Sequence, residues 1–343
     1  MKVVIAGGGF CGSMVAKRLD KNPEIDVTLI DEKKYFEYYP SLPKLITDPD
    51  YHEKIIKPYS QFLENADIIV ERIDKISPKY VLTKNRKVEF DVLVVSLGAE
   101  YPIYLENKKD VFTVRSGKEV KELSKKIGKS ERILIVGGGL IGTEVAAELA
   151  TKTDKKITLV HSHDELIERN PKVVSYFAKK FLEEKGVELR LNEKAVRHEE
   201  NVFYTNKGNN IEAEVCIWGT GLSYNKDLYH NLDEISFAEN GSLCVNESLQ
   251  VRGYSNIFAG GDITDIAEEK TGHNADSHAR IISKNMVRMK EGKVLKTYSR
   301  MKTPLVISLG DVNGIISFPP IGMPGPIPAF VKYLLEKGAL LRL

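Results

Sequence analysis

Met1–Asp31 reads MKVVIAGGGFCGSMVAKRLDKNPEIDVTLID: a strand, a glycine turn, a helix, a second strand and an acid. Lys2–Ala6 is a short apolar run, and Gly7, Gly9 and Gly12 follow it as G-x-G-x-x-G. The first glycine permits a tight turn, the second lets the backbone approach a pyrophosphate, and the third lets the helix pack close to the strand. The helix that opens over Phe10, Cys11 and Gly12 offers unpaired N–H groups and a positive dipole end, which suit a diphosphate. Val27–Ile30 is the second strand. Asp31 ends it 19 residues past Gly12, placed to accept hydrogen bonds from a ribose. Glycine spacing alone is a weak signal; strand, helix and acid together predict a bound dinucleotide.

The unit recurs. Residues 131–161 read ERILIVGGGLIGTEVAAELATKTDKKITLVH, with Gly137, Gly139 and Gly142 in the same spacing. Gly7 to Asp31 and Gly137 to His161 both span 24 positions. Phe90–Gly98 (FDVLVVSLG) and Glu214–Gly221 (EVCIWGTG) are matching apolar strands that end in glycine turns. The expected fold is therefore α/β with two Rossmann-like units. Two dinucleotides in one chain suggest an electron relay between a tightly held flavin and an exchangeable nicotinamide.

Composition is consistent with this. A chain of 343 residues suits two or three domains with ample core. A net charge of +2, with interspersed Lys and Glu, makes no electrostatic case for nucleic acid. The first residues already read as a strand, so no signal peptide is expected, and no apolar run is long enough to span a bilayer. Three scattered cysteines fit a reducing, cytoplasmic compartment rather than a disulfide framework.

Between Asp31 and Phe90 the segment EKKYFEYYPSLPKLITDPDYHEK is rich in Tyr and Pro, and Ser41–Lys44 are candidates for the flavin edge. No cysteine stands between Cys11 and Cys216, and Cys11 reads as a small packed side chain. Ile68–Val70, Tyr80–Leu82 and Val88–Phe90 read as a β-meander before the returning strand, and Gly117–Ile127 as a solvated helix. The domain crossing is expected near Phe112–Ser116. Glu144 stands one turn into the helix Leu140–Leu149, as a functional carboxylate or an acid favoured by the helix dipole. His161 replaces the acid of the first unit and would not repel a 2′-phosphate, so weak discrimination between NADH and NADPH is expected. His161 and His163 have no Cys or carboxylate at ligand spacing, so no metal site is expected. Asn256–Ala259 reads as a strand, Gly260-Gly261-Asp262 as a turn, and His273–Met289 as a helix.

Together these motifs resemble the two-dinucleotide-binding-domain flavoproteins, the pyridine nucleotide-disulfide oxidoreductase superfamily. Within it the chain is similar to type II NADH:quinone dehydrogenases and to the apoptosis-inducing-factor-like ferroptosis suppressor branch. The matches are VVIAGGGFCG, ILIVGGGLIGTEVAAEL, ITLVHSH, GSLCVNESLQVRGYSNIFAGGD and PLVISLGDVNG. The resemblance implies FAD at Gly7, Gly9, Phe10, Cys11, Gly12, Asp31, Glu32, Lys44, Ser96, Leu97, Gly98, Gly261 and Asp262. It implies NAD(P)H at Gly137, Gly139, Leu140, Ile141, Gly142, Glu144, His161, Gly219, Thr220 and Gly221. It also implies that the second unit is inserted in the first: 1–112 and 235–298 for FAD, 113–234 for NAD(P)H, and 299–343 as a C-terminal segment.

Two departures matter. Where the type II dehydrogenases carry an Ala-Gln-rich helix start near the quinone, this chain has Thr271–Ala279 with His273 and His278. His273 or His278 is a candidate proton or hydrogen-bond donor to a quinone oxygen, or else a helix-cap or packing residue. The C-terminal segment is short, and Phe330, Val331, Leu334 and Leu335 share a helix face, with Lys332, Lys337 and Arg342 available for lipid headgroups. That face suits either a peripheral membrane surface or a homodimer contact. The expected activity is hydride transfer from NAD(P)H to flavin, with electrons passing to a quinone-type acceptor without a redox cysteine. Sulfide:quinone chemistry would need cysteines near the flavin, and residues 100–160 and those beyond 300 contain none. A ferredoxin- or rubredoxin-type reductase and a slow NAD(P)H-sensing flavoprotein are the alternatives.

Overall fold

The computed structural model describes residues 1–300 and 303–343; Met301 and Lys302, in the expected C-terminal segment, lie outside the described residues. Two five-stranded parallel sheets carry the architecture. The first orders its strands Ile257–Ala259, Val92–Val95, Lys2–Ala6, Asp26–Asp31 and Asp67–Val70. The second orders Val111–Phe112, Val215–Trp218, Arg132–Val136, Lys156–His161 and Glu188–Leu191. The central strands Val3–Ala6 and Ile133–Val136 are buried, as expected for parallel strands covered on both faces.

The two sheets match bond for bond at the glycine turns. Gly7 N–H donates to Ile30 O, and Gly137 N–H to Val160 O, both at 2.8 Å. Ser96 N–H donates to Ala6 O, and Gly219 N–H to Val136 O, again at 2.8 Å. A three-stranded antiparallel meander precedes each returning strand, over Ile73–Glu89 and Ala195–Glu212. The second unit is inserted in the first, because Ile257–Ala259 rejoins the first sheet beside Val92–Val95.

Three expectations need correction. Asp67–Val70 is not a meander strand; it pairs parallel with Asp26–Asp31 as the outer strand of the first sheet. Val111–Phe112 already belongs to the second sheet, so the chain crosses earlier than Phe112. The return crossing also lies before 234, since Asn231 Nδ2 donates to Ser77 Oγ at 3.2 Å. Glu100 and Ser223 exchange backbone hydrogen bonds at 2.8 and 2.9 Å, which lays the two linkers side by side.

After the first sheet closes, Gly272–Lys290 packs against the helix Phe10–Leu19. The C-terminal segment forms an antiparallel sheet, Leu305–Leu309, Asn313–Phe318 and Ile321–Gly325, followed by the helix Pro326–Arg342. That helix ends against the first unit. Lys17 Nζ donates to Arg342 O and Leu343 O at 2.7 and 2.6 Å, and Lys57 Nζ to Leu340 O at 3.0 Å. Lysines satisfy the last carbonyls and complement the negative end of the dipole.

Asp20, just past the first glycine-turn helix, is buried and accepts from the N–H groups of Glu64, Asn65 and Ala66 at 2.7–3.0 Å. It fixes the entry of the outer strand. Asp20→Ala strands three donors, so it should cost about 1–3 kcal/mol, read as a lower denaturant midpoint.

Candidate functional site

At each turn the three glycines do different work. Gly7 and Gly137 have φ of +98° and +107°, a left-handed region that penalises side chains. A Cβ on Gly12 would lie 1.8 Å from Gly7 O, and one on Gly142 would lie 1.8 Å from Gly137 O. Gly9 and Gly139 differ: a Cβ there meets nothing within 4 Å. No packing contact demands glycine at these two positions, and the backbone faces open space. Gly9 and Gly139 are also the N-caps of their helices, and neither helix has a side-chain cap. The helices starting after Ser116 and Thr271 do have one. Both turns therefore aim free N–H groups into space that a diphosphate fits.

The second position of each turn is closed. Tyr59 Oη donates to Gly8 O at 3.1 Å, while His161 and Leu166 pack against Gly138. Ser13 Oγ and Thr143 Oγ1 bond back to the carbonyls of Gly8 and Gly138. Asp31 accepts from Gly8 N–H at 2.6 Å and Lys33 N–H at 2.7 Å, and burial holds its carboxyl above the usual range. Burial raises Asp262 likewise, with the Lys270 charge opposing. His161 is buried at the equivalent strand end, and burial pushes its imidazole down, toward the neutral form.

Several expected residues serve the turn rather than face the open space. The Phe10 ring packs on Phe36 and Tyr38 at centroid distances of 5.1 and 5.5 Å. Cys11 is buried against Gly260, and Ser96 Oγ donates to Ala6 O and Gly7 O. Leu97 and Thr220 lie beside Gly7 and Gly137, with Gly98 and Gly221 at φ of +70° and +74°. Leu140 and Ile141 pack partly against the core. Glu32 is exposed and 3.6 Å from Arg72. His278 is buried; its Nδ1 accepts from Gly261 N–H at 3.0 Å and its Nε2 lies 2.9 Å from Glu268. That geometry makes His278 a positioning residue for the Gly260–Asp262 turn, the packing alternative of the two expected.

The largest difference is at the C-terminal helix. Its inward face carries Pro328, Lys332, Glu336 and Ala339, while Ile327, Phe330, Leu334 and Leu335 point outward. Lys332 is not available to lipid; it pairs with Glu144 in the interior. Ser308 N–H donates to the same Glu144 oxygen at 2.8 Å. Glu336 accepts from Ser41 Oγ at 2.5 Å and Tyr51 Oη at 2.7 Å, with Lys44 Nζ at 3.8 Å. Glu336, Tyr51 and Ser308 escape the sequence reading, which places Lys332 at lipid headgroups. The available signal was the i, i+4 spacing of Lys332 and Glu336 with Pro328, four residues earlier, and Ala339. Sequence spacing also concealed Glu168, which the fold brings beside His161 and His163.

Burial pushes the thiols of Cys11, Cys216 and Cys244 up, and all three cysteines are free. None is poised as a thiolate.

The pyridine nucleotide-disulphide oxidoreductase family matches residues 1–284, and the chain belongs to that family. Apoptosis-inducing factor homolog B of Dictyostelium discoideum is 32% identical over 358 residues, covering 93% of this chain and 90% of that protein. Ferroptosis suppressor protein 1 of Taeniopygia guttata is 30% identical, covering 92% and 88%. Among solved structures, NDH2 from Plasmodium falciparum in complex with NADH superposes with a TM-score of 0.86 at 17% identity, covering 99% and 94%. The sulfide:quinone oxidoreductase of Aquifex aeolicus gives 0.85 at 21%, covering 98% and 90%. The protein is a two-unit oxidoreductase whose cofactors are FAD and NAD(P)H.

Two outcomes follow from the geometry. Gly12→Ala should destabilise the fold by about 1–3 kcal/mol through overpacking, measured by chemical denaturation, whereas Gly9→Ala should spare the apoprotein and weaken FAD retention on dialysis. Lys332→Met should cost about 3–5 kcal/mol because it leaves Glu144 buried and unpaired. Adding Glu144→Gln should recover part of that loss in a double-mutant cycle.

Proposed function

We propose that the protein is an FAD-dependent NAD(P)H dehydrogenase that delivers electrons to a quinone-type acceptor without a redox cysteine. The observation that carries this reading is the pair of equivalent open turns at Gly9 and Gly139. FAD belongs at the first turn, bounded by Asp31 and Asp262, and NAD(P)H at the second, bounded by His161. Bound there, FAD would supply hydride acceptance from the nicotinamide and two-electron delivery to an acceptor.

The chain supplies position and charge. Glu144 is held through one oxygen by Lys332 and Ser308, which leaves the other to accept from the nicotinamide carboxamide. The raised thiols of Cys11, Cys216 and Cys244 argue against a thiol relay. A neutral His161 supports use of both NADH and NADPH.

The outward face of the C-terminal helix, with Ile327, Phe330, Leu334 and Leu335, suits shallow insertion at a lipid surface. No helix among the described residues is long and apolar enough to cross a membrane. We place residues 1 to about 100 and those from about 224 with FAD, and the intervening unit with NAD(P)H, near the Glu100–Ser223 pairing.

Steady-state turnover with a short-chain quinone should exceed turnover with a one-electron iron–sulfur protein carrier, and the NADH and NADPH rates should agree within about tenfold, roughly 1.4 kcal/mol. The protein should also cosediment with liposomes, less so after Phe330→Glu. Preference for the one-electron carrier would overturn the acceptor assignment.

A further inference from the structure

The end of the second unit holds a cluster that the hydride relay does not use. His161, His163 and Glu168 each offer one ligand atom, and these atoms all lie within 4.8 Å of one another. His161 Nε2 is buried, lies 3.3 Å from Glu168 Oε2, and makes no aligned hydrogen bond. A tetrahedral zinc ion with bonds of about 2.0–2.1 Å separates its ligand atoms by roughly 3.3–3.4 Å, which the His161–Glu168 pair matches at 3.3 Å.

The backbone holds this arrangement in place. Glu193 N–H donates to His161 O at 2.9 Å, and Asn192 N–H to His163 O at 3.0 Å. Ile167, just before Glu168, sits at φ +53° and donates its N–H to Gly138 O at 2.8 Å. A β-branched residue in that region is strained, and the strain turns the chain so that Glu168 returns to His161. Burial favours the neutral imidazole, the form that ligates.

We propose that His161, His163 and Glu168 form a divalent-cation site of zinc type, with the fourth position open to water. Two imidazoles and a carboxylate suit Zn²⁺, and the negative Glu168 offsets part of its charge. The site adjoins the Gly137–Gly142 turn. Resting on the reading of that turn as the nicotinamide unit, the cation ties up His161 and Glu168 and opposes NAD(P)H binding.

The test is calorimetric titration of untagged, FAD-loaded protein with Zn²⁺. One ion per chain should bind, and His163→Ala and Glu168→Gln should each weaken binding at least about tenfold. His230→Ala, a distant exposed histidine, should leave it unchanged. Absence of one-to-one binding, or binding indifferent to both site variants, overturns the proposal. In a second arm, Zn²⁺ should raise the KM for NADH in the native protein and not in His163→Ala. Zn²⁺ that binds at the site without moving this KM would overturn the nucleotide opposition while leaving the cation site standing.

Discussion

Glu144 and Lys332 meet in the interior, one from the helix of the second glycine turn and the other from the last helix of the chain. Neither charge tolerates burial alone, because the desolvation cost is several kcal/mol per ion. Set against a hydrophobic pair of the same size, the ion pair adds little net stability. Its effect is on arrangement: the C-terminal helix has one docked position that satisfies Lys332 and Glu336 together. Glu336 finds Ser41 and Tyr51 on the first unit, while Lys332 finds Glu144 on the second. The helix therefore joins both nucleotide units across their junction, with its charges inside and its apolar residues outside.

The two units share a backbone plan and differ where chemistry is selected. The same two backbone hydrogen bonds close each turn, and the equivalent glycine oxygen forbids a side chain at Gly12 and Gly142. At the strand ends the plan diverges. Asp31 is half-buried with two backbone donors, while His161 is buried, with its Nε2 beside Glu168 and not in an aligned hydrogen bond. A carboxylate at one strand end and a buried imidazole at the other give the two units different tolerances for charge. His278 shows a third use of a buried ring, as it holds the Gly261 N–H and so fixes the turn that carries Asp262.

Much of this was legible in the sequence where a local rule sets the structure. Glycine spacing, apolar runs and the 24-residue interval identify both turns and both returning strands. The rest depended on contacts between distant segments. Asp67–Val70 looks like any short strand until its parallel partner is known. Lys332 was read as a surface lysine because helix charges usually face water, and only its partner 188 positions away reverses that. Glu168 lies seven residues beyond His161, outside regular ligand spacing, and reaches it through one left-handed residue. Phe10 and His278 sit in motif positions, but their rings complete packing and hydrogen bonds that sequence does not display.

On the proposed reading, hydride enters at the second turn and electrons leave from the first without a thiol intermediate. Anaerobic stopped-flow spectroscopy is the decisive measurement: the flavin band is followed after mixing with NADH and then with a soluble quinone, before and after thiol alkylation. Fast bleaching and fast recovery, both unchanged by alkylation, are expected. A flavin band that NADH does not bleach, or recovery that disappears once the thiols are blocked, would contradict that reading.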